Sequence, residues 1–176
     1  MYLVITASPN ENGLTAACGR AACDSVTNAG REAEIIDLCA GRISPCLVCN
    51  DGWGTCLPEA KCVIGDMMDA LQAKIRAAEG IFLVTPVYFG QPNERMQYFL
   101  DRFRRMECFN KAGSAAKGKM IHLIAAAGGG GAGGGTCLAE MEMWCSHVGA
   151  VTGERFDVTR ANRGEVIDAI RLLPIQ

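Results

Sequence analysis

The chain carries little net charge. Its 17 lysines and arginines stand against 19 aspartates and glutamates, leaving −2 at neutral pH and a pI near 5.7. Nothing in that balance drives it toward nucleic acid or an anionic membrane surface. No apolar run approaches the roughly 18 residues of a membrane span. The opening residues, Met1-Tyr2-Leu3-Val4-Ile5-Thr6, have no basic flank and too short an apolar run for a signal peptide. There is no internal repeat and no linker, so residues 1–176 are expected to form one domain. Half the residues are hydrophobic and a fifth are charged, which excludes disorder. Ten cysteines fall short of the roughly 8–10% of a disulfide scaffold. With no secretory signal, a reducing cytoplasm is expected, where thiols more often serve metal or redox chemistry than structural disulfides.

Glycine and cysteine are present in excess, and both are clustered. Seven of the 21 glycines occupy residues 128–135, and four of the ten cysteines lie between residues 46 and 62. Around these clusters the hydrophobic pattern alternates between strand and helix. Residues 2–6, 34–38, 81–85, 120–126 and 152–158 read as short, buried, β-branched strands. Helices are expected from about Thr15 to Gly30, after Asp66 with Gly80 closing the segment, over residues 93–105, along Leu138–Met141–Trp144–Cys145–Val148, and along Val166–Ile167–Ile170–Leu173. Five strands alternating with five helices predict an α/β fold: a flavodoxin-like three-layer sandwich whose five-stranded parallel sheet has the order 2-1-3-4-5.

In such a sheet a ligand sits outside the carboxyl ends of the strands. Three unusual loops fall on that edge. The first contains Ser8, Asn10, Asn12, Gly13, Leu14 and Thr15. It is rich in hydroxyls and amides and leads into a helix N-terminus, where unpaired N–H groups and the helix dipole suit a phosphate. The second, Thr85-Pro86-Val87-Tyr88-Phe89-Gly90, sets aromatic residues beside a rigid proline, a surface for a planar ring. The third holds Gly128, Gly129, Gly130 and Gly131. It matches G-x-G-x-x-G only because it is nearly all glycine, and too few strands follow it for a dinucleotide-binding half. Close approach of backbone to a flat ligand explains it better. No Walker A motif is present, since Met120 follows Gly118-Lys119.

Ser8-Pro9 with Gly13 and Thr15, Pro86-Val87-Tyr88-Phe89-Gly90 with Phe99-Leu100-Asp101-Arg102, and the glycine loop together resemble the NADPH-dependent FMN reductase superfamily. The likeness extends over nearly the whole chain. It implies a flavodoxin-like fold and FMN as cofactor. The phosphate would then lie on Ser8, Asn10, Gly13, Leu14 and Thr15. The isoalloxazine would lie on Pro86, Val87, Tyr88, Phe89 and Gly90, with Gly128 to Gly131 near its pyrimidine side. Many members have arginine where this chain has Asn10, so a positive charge is missing from the phosphate site.

Cys46-x2-Cys49-x6-Cys56-x5-Cys62 lies in the long segment 39–63 after the second strand. That strand should lie about 4.8 Å from the first, so the loop is expected on the cofactor edge. A compact four-cysteine set suits an iron–sulfur cluster or structural zinc. The loop also resembles that of the iron–sulfur flavoproteins, in which four cysteines hold a [4Fe–4S] cluster that exchanges electrons with FMN. Their second gap is usually tighter than the six residues found here. Cluster, other metal and no metal remain open readings.

The expected function is an FMN-dependent NAD(P)H oxidoreductase. NAD(P)H would deliver hydride to flavin N5, and the flavin would pass electrons to a flavin, a quinone or another small acceptor. Backbone donors around Val87 to Gly90 would stabilise the reduced flavin, with no side-chain acid or base required. One alternative is an electron carrier using FMN and a cluster with a redox-protein partner. Another is a flavodoxin-like binding module with a structural or zinc-holding cysteine loop. A homodimer or larger assembly is expected on residues 93–105 through Met96, Phe99 and Phe103. Cys18, Cys23, Cys145, His122 and the methionines at 67, 68, 141 and 143 read as packing, His147 as a helix-end charge, and Arg102, Arg104 and Arg105 as a solvated or interface face.

Overall fold

A computed structural model describes residues 1–175. Strand β1 (Tyr2–Thr6) leads into α1 (Leu14–Asn28) and β2 (Ala33–Asp37). The cysteine segment contains only a short 3-10 turn (Asn50–Gly52) and the single-turn helix α2 (Cys56–Glu59). Then follow α3 (Met68–Ala77), β3 (Gly80–Tyr88), the two-residue β4 (Gln91–Pro92) and α4 (Glu94–Glu107). Strand β5 (Met120–Ala127), α5 (Gly134–His147), β6 (Val151–Thr159) and α6 (Arg163–Arg171) complete the chain.

The parallel strands lie in the order β2-β1-β3-β5-β6, the expected 2-1-3-4-5 arrangement with β4 added as an antiparallel flap on β3. Val4 pairs with Ile35 on one side and Phe82 on the other. The chain therefore winds in opposite directions from the centre, and the switch point lies between β1 and β3. Because side chains alternate, Leu3, Ile5 and Leu83 face a core shared with α3, α4 and α5. Tyr2, Val4, Phe82 and Val84 face the opposite core, under α1 and α6. Two faces filled from one sheet produce the three layers.

Helix ends follow their chemistry. Gly30 and Gly149 adopt φ +71, and each supports a Schellman pair of bonds. Gly30 N–H donates to Thr27 O and Arg31 N–H to Val26 O, while Gly149 N–H donates to Ser146 O and Ala150 N–H to Cys145 O. Asp66 accepts from the Met68 N–H at 3.1 Å, serving the start of α3. Gly80 is the first residue of β3 and not the end of α3, which stops at Ala77.

Three expectations are corrected. Met96, Phe99 and Phe103 are fully buried and do not form an exposed dimer face. Phe99 and Phe103 sit 5.8 and 5.5 Å from the Trp144 ring of α5, whose Nε1–H donates to Leu100 O at 2.8 Å. The large side chains on α4 fill the gap between α4, α5 and the sheet, so their apolar excess is used within the chain. Arg102 is not solvated: it is 1% exposed and bonds Asp66 bidentately at 2.6 and 2.9 Å. Met143 is exposed and not part of the packing, unlike Met68 and Met141. His122 matches its core reading, stacked on Phe82 at 4.7 Å with Nδ1 accepting from the Glu154 N–H.

Candidate functional site

An open cleft of about 500 Å³ lies at the carboxyl ends of β1, β3 and β5, within the size range of cofactor sites. From the first loop it brings together Ser8, Asn10, Gly13, Leu14 and Thr15, with Pro9 between them. From the second it takes Pro86, Val87 and Tyr88, and from the third Gly128 and Gly129. Asn12, Phe89, Gly90, Gly130 and Gly131 are not in its wall.

Local structure explains that partition. Pro86, Val87 and Tyr88 are not loop residues: they extend β3 and pair with β4, Val87 opposite Pro92 and Tyr88 opposite Gln91. Phe89 and Gly90 form the tight turn of this hairpin with φ +53 and +80, the double positive φ that such turns require. Phe89 is therefore carried wholly into solvent. Of the residues that this segment gives to the cleft wall, Val87 and Tyr88 carry a backbone N–H and Pro86 does not.

The glycine loop divides into two functions. A Cβ on Gly128, Gly129 or Gly130 would meet nothing within 4 Å, so these residues leave open space beside bare backbone. Farther along, the glycines are needed by the protein itself. A Cβ on Gly133 would come within 2.8 Å of the Gly90 Cα, and one on Gly134 would collide with the Asp157 carboxylate. Gly131 adopts φ +73 against Thr159. The second half of the loop thus packs the hairpin turn and β6, while the first half faces the cleft.

The first loop ends at Gly13, where no side chain caps α1 and no acid lies in its first turn. The N-terminal N–H groups of α1 and its dipole are consequently available to an anion. Ser8 Oγ–H donates to Asn10 O at 2.8 Å and shapes the loop. A buried residue expected only as the start of a helix ties two cleft walls together: Asn93. Its Nδ2 donates to Ala7 O at 2.7 Å, its N–H to Thr85 Oγ1, and its Oδ1 caps α4 by accepting from Met96 N–H. Pro92-Asn93-Glu94 carries the sequence signature of an N-cap, but its reach to β1 is visible only in three dimensions. Arg160, on the β6–α6 turn, and Arg163, the first residue of α6, also line the cleft and carry no motif that would have marked them.

Cys46, Cys49, Cys56 and Cys62 line a second cavity together with Arg102, Arg105 and Met106. The segment leaves β2 at the cofactor edge and then runs down α4. Three arginines on one face of α4 hold its carbonyls: Arg95 bonds Ile43 O at 2.7 Å, Arg102 bonds Ser44 O at 3.1 Å, and Arg105 bonds Gly52 O at 2.6 Å. Arg105 also lies over the Trp53 ring at 5.1 Å. The cysteine cavity thus lies against the C-terminal half of α4, at Arg102, Arg105 and Met106. It shares no wall residue with the cleft.

Among the described residues, five of the six non-glycine residues with positive φ occur in this segment: Arg42, Val48, Asn50, Asp51 and Ala60. Each costs about 1 kcal/mol or more, so the fold holds this loop in a shape it would not adopt alone. The four thiols suit sulfur-bound iron in kind. Among the described residues, however, no three histidine, cysteine or acidic groups stand close enough to hold a single metal ion. Burial pushes the buried thiols of Cys18 and Cys137 up to about 12 and that of Cys145 to about 11, so these three stay protonated and unreactive. All ten cysteines are free.

Residues 2–163 match the NADPH-dependent FMN reductase family, and the chain belongs to it. Among curated proteins it is 35% identical over 115 residues to an iron-sulfur flavoprotein of Methanocaldococcus jannaschii, covering 63% of this chain and 58% of that one. It is 33% identical over 100 residues to an iron-sulfur flavoprotein of Methanosarcina thermophila, covering 54% and 50%. The chain thus spans about half the length of the curated relatives it matches. Among solved structures, the NAD(P)H:quinone oxidoreductase of Methanothermobacter marburgensis superposes with TM-score 0.74 at 13% identity, over 97% of this chain and 92% of that one. The azoreductase AzrA superposes with TM-score 0.66 at 15% identity, over 97% and 94%. These structures share the flavodoxin-like fold.

Proposed function

We propose that the chain is an FMN-dependent NAD(P)H oxidoreductase that passes electrons through bound flavin to a flavin, quinone or other small acceptor. One observation carries this reading. The uncapped N-terminus of α1, the Pro86–Tyr88 stretch of β3 and the open backbone at Gly128 and Gly129 meet in a single cleft at the switch point. When bound, FMN supplies the hydride acceptance and electron transfer that no side chain can perform. The chain's part is to bind and orient. Leu14 and Thr15 begin a helix whose free N–H groups suit the phosphate. Pro86, Val87 and Tyr88 present a fixed strand edge to a planar ring. Gly128 and Gly129 allow backbone to approach that ring where a Cβ would stand in the way. Asn93 locks the first and second walls in register. Steady-state NAD(P)H oxidation tests the reading: ping-pong kinetics that depend on added FMN are expected with a quinone or flavin acceptor.

A second reading is favoured by the four cysteines lining one cavity. In it Cys46, Cys49, Cys56 and Cys62 hold a [4Fe–4S] cluster, and the chain carries electrons between FMN and a redox-protein partner. Anaerobic preparation would then give a brown protein containing iron and sulfide, with slow direct NAD(P)H oxidation. For the homodimer, we assign the contact to Leu47, Val48, Leu57 and Val63, exposed apolar residues in and beside the cysteine segment. Sedimentation of the wild type and of L47S/V63S tests this assignment.

A further inference from the structure

A cofactor phosphate brings about −1.5 to −2 charge into the cleft at neutral pH. Residues 8–15 contain no lysine or arginine to meet it, and Glu11 is the one charged residue among them. The only cations in the described cleft wall are Arg160 and Arg163, and no carboxylate lines it. Neither arginine side chain makes an ion pair or hydrogen bond among the described residues. Nearby Arg155 and Arg171, by contrast, are paired with Glu142 and Asp24.

The backbone that carries the two arginines is fixed although their side chains are free. Asn162, between them, accepts at Oδ1 from the Thr159 N–H at 2.7 Å and from Thr159 Oγ1 at 3.1 Å, and its Nδ2 donates to Asp157 O at 3.0 Å. Helix α6 packs beside α1 on the same face of the sheet through Ile170, Cys18 and Ala22. The first turns of both helices therefore stand side by side at the cofactor edge. A rigid turn presenting two unpaired guanidinium groups to a cleft without acids is a fitting surface for a phosphomonoester, which guanidinium binds through paired hydrogen bonds.

We propose that Arg160 and Arg163 supply the positive charge for the 5′-phosphate of FMN, complementing the N–H groups at the start of α1. This rests on the reading of the cleft as an FMN site. The same charge chemistry would also suit the ribose phosphate of NADPH, and the test separates the two. FMN and riboflavin are titrated into wild type, R160A/R163A and R160K/R163K, at low and high salt. Steady-state KM values for NADPH and NADH are measured in parallel. Both arginines are exposed, so the melting temperature should not move.

The double alanine variant should bind FMN about 10- to 100-fold more weakly, as expected for lost charge-assisted bonds. Its riboflavin affinity should be unchanged, its salt dependence flatter, and the lysine variant intermediate. An unchanged ratio of FMN to riboflavin affinity would overturn the assignment while leaving the FMN site standing. So would an effect confined to the NADPH-to-NADH ratio, which would assign the charge to the nicotinamide cofactor. Failure of the wild type to bind either flavin would instead overturn the FMN site itself.

Discussion

Replacing Arg102 with methionine should destabilise the chain far more than the loss of an exposed ion pair would. Arg102 is 1% exposed, bonds both oxygens of Asp66 at 2.6 and 2.9 Å, and holds Ser44 O at 3.1 Å. Methionine fills much of the space of the stem but leaves the partly buried Asp66 carboxylate with only the Ser44 and Met68 N–H donors. Breaking a buried pair from one side costs about 3–5 kcal/mol. At about 2–4 °C per kcal/mol for a chain of this size, the melting temperature should fall by about 6–20 °C. The pH dependence adds a second signature. Burial alone would push the Asp66 carboxyl up, but the bonds and charge of Arg102, with the Ser44 and Met68 N–H groups, outweigh it and hold it low. In the wild type this stabilisation is complete above the ordinary Asp pKa of about 3.9 and is lost as pH falls below it. In R102M the bonds and charge of Arg102 are gone, so protonating Asp66 costs the fold less than it does in the wild type. The gap between the two proteins should therefore narrow as pH falls from 6 through the carboxylate range. Urea denaturation at a series of pH values measures it. A loss of less than about 1 kcal/mol at neutral pH, the scale of an exposed pair, would refute the burial argument.

Three further outcomes follow. Gly134→Ala should lower stability by about 1–3 kcal/mol through collision with Asp157, whereas Gly129→Val should leave melting almost unchanged and weaken FMN binding. Brief alkylation of the native protein, read by mass spectrometry, should leave Cys18, Cys137 and Cys145 unmodified while labelling cysteines of the 46–62 segment. Burial lowers the pKa of His122, with Glu154 opposing in part, so its contribution is complete above about pH 6.5 and lost as pH falls. His122→Gln should accordingly flatten the decline in stability between pH 7 and 5 measured by denaturant melts.

The strand order was legible in the sequence because short β-branched runs alternating with helical spacing admit few topologies, and Gly30 and Gly149 marked helix ends by their own chemistry. The cleft was partly legible for the same reason: a parallel sheet gathers its βα loops on one edge. What the sequence hid was non-local. Met96, Phe99 and Phe103 have the spacing of an interface but are buried in the core, where Phe99 and Phe103 meet Trp144, 40 or more residues away. Arg102 looks like a surface charge until Asp66, 36 positions earlier, folds against it. The glycine loop reads as one feature, yet Gly133 and Gly134 answer to Gly90 and Asp157 while Gly128 and Gly129 face the cleft. Nor does any motif encode the carbonyl contacts of Arg95, Arg102 and Arg105 that hold the cysteine segment along α4.

The central claim is that the switch-point cleft is an FMN site that accepts electrons from a nicotinamide cofactor. Equilibrium titration of flavin-free protein with FMN, followed by anaerobic addition of NADPH and NADH, tests it most directly. The account predicts saturable binding of one FMN per chain, weakened by Gly129→Val, and bleaching of the bound flavin by at least one nicotinamide. Protein that binds no FMN, or binds it equally well when Gly129 carries a valine side chain, would contradict it.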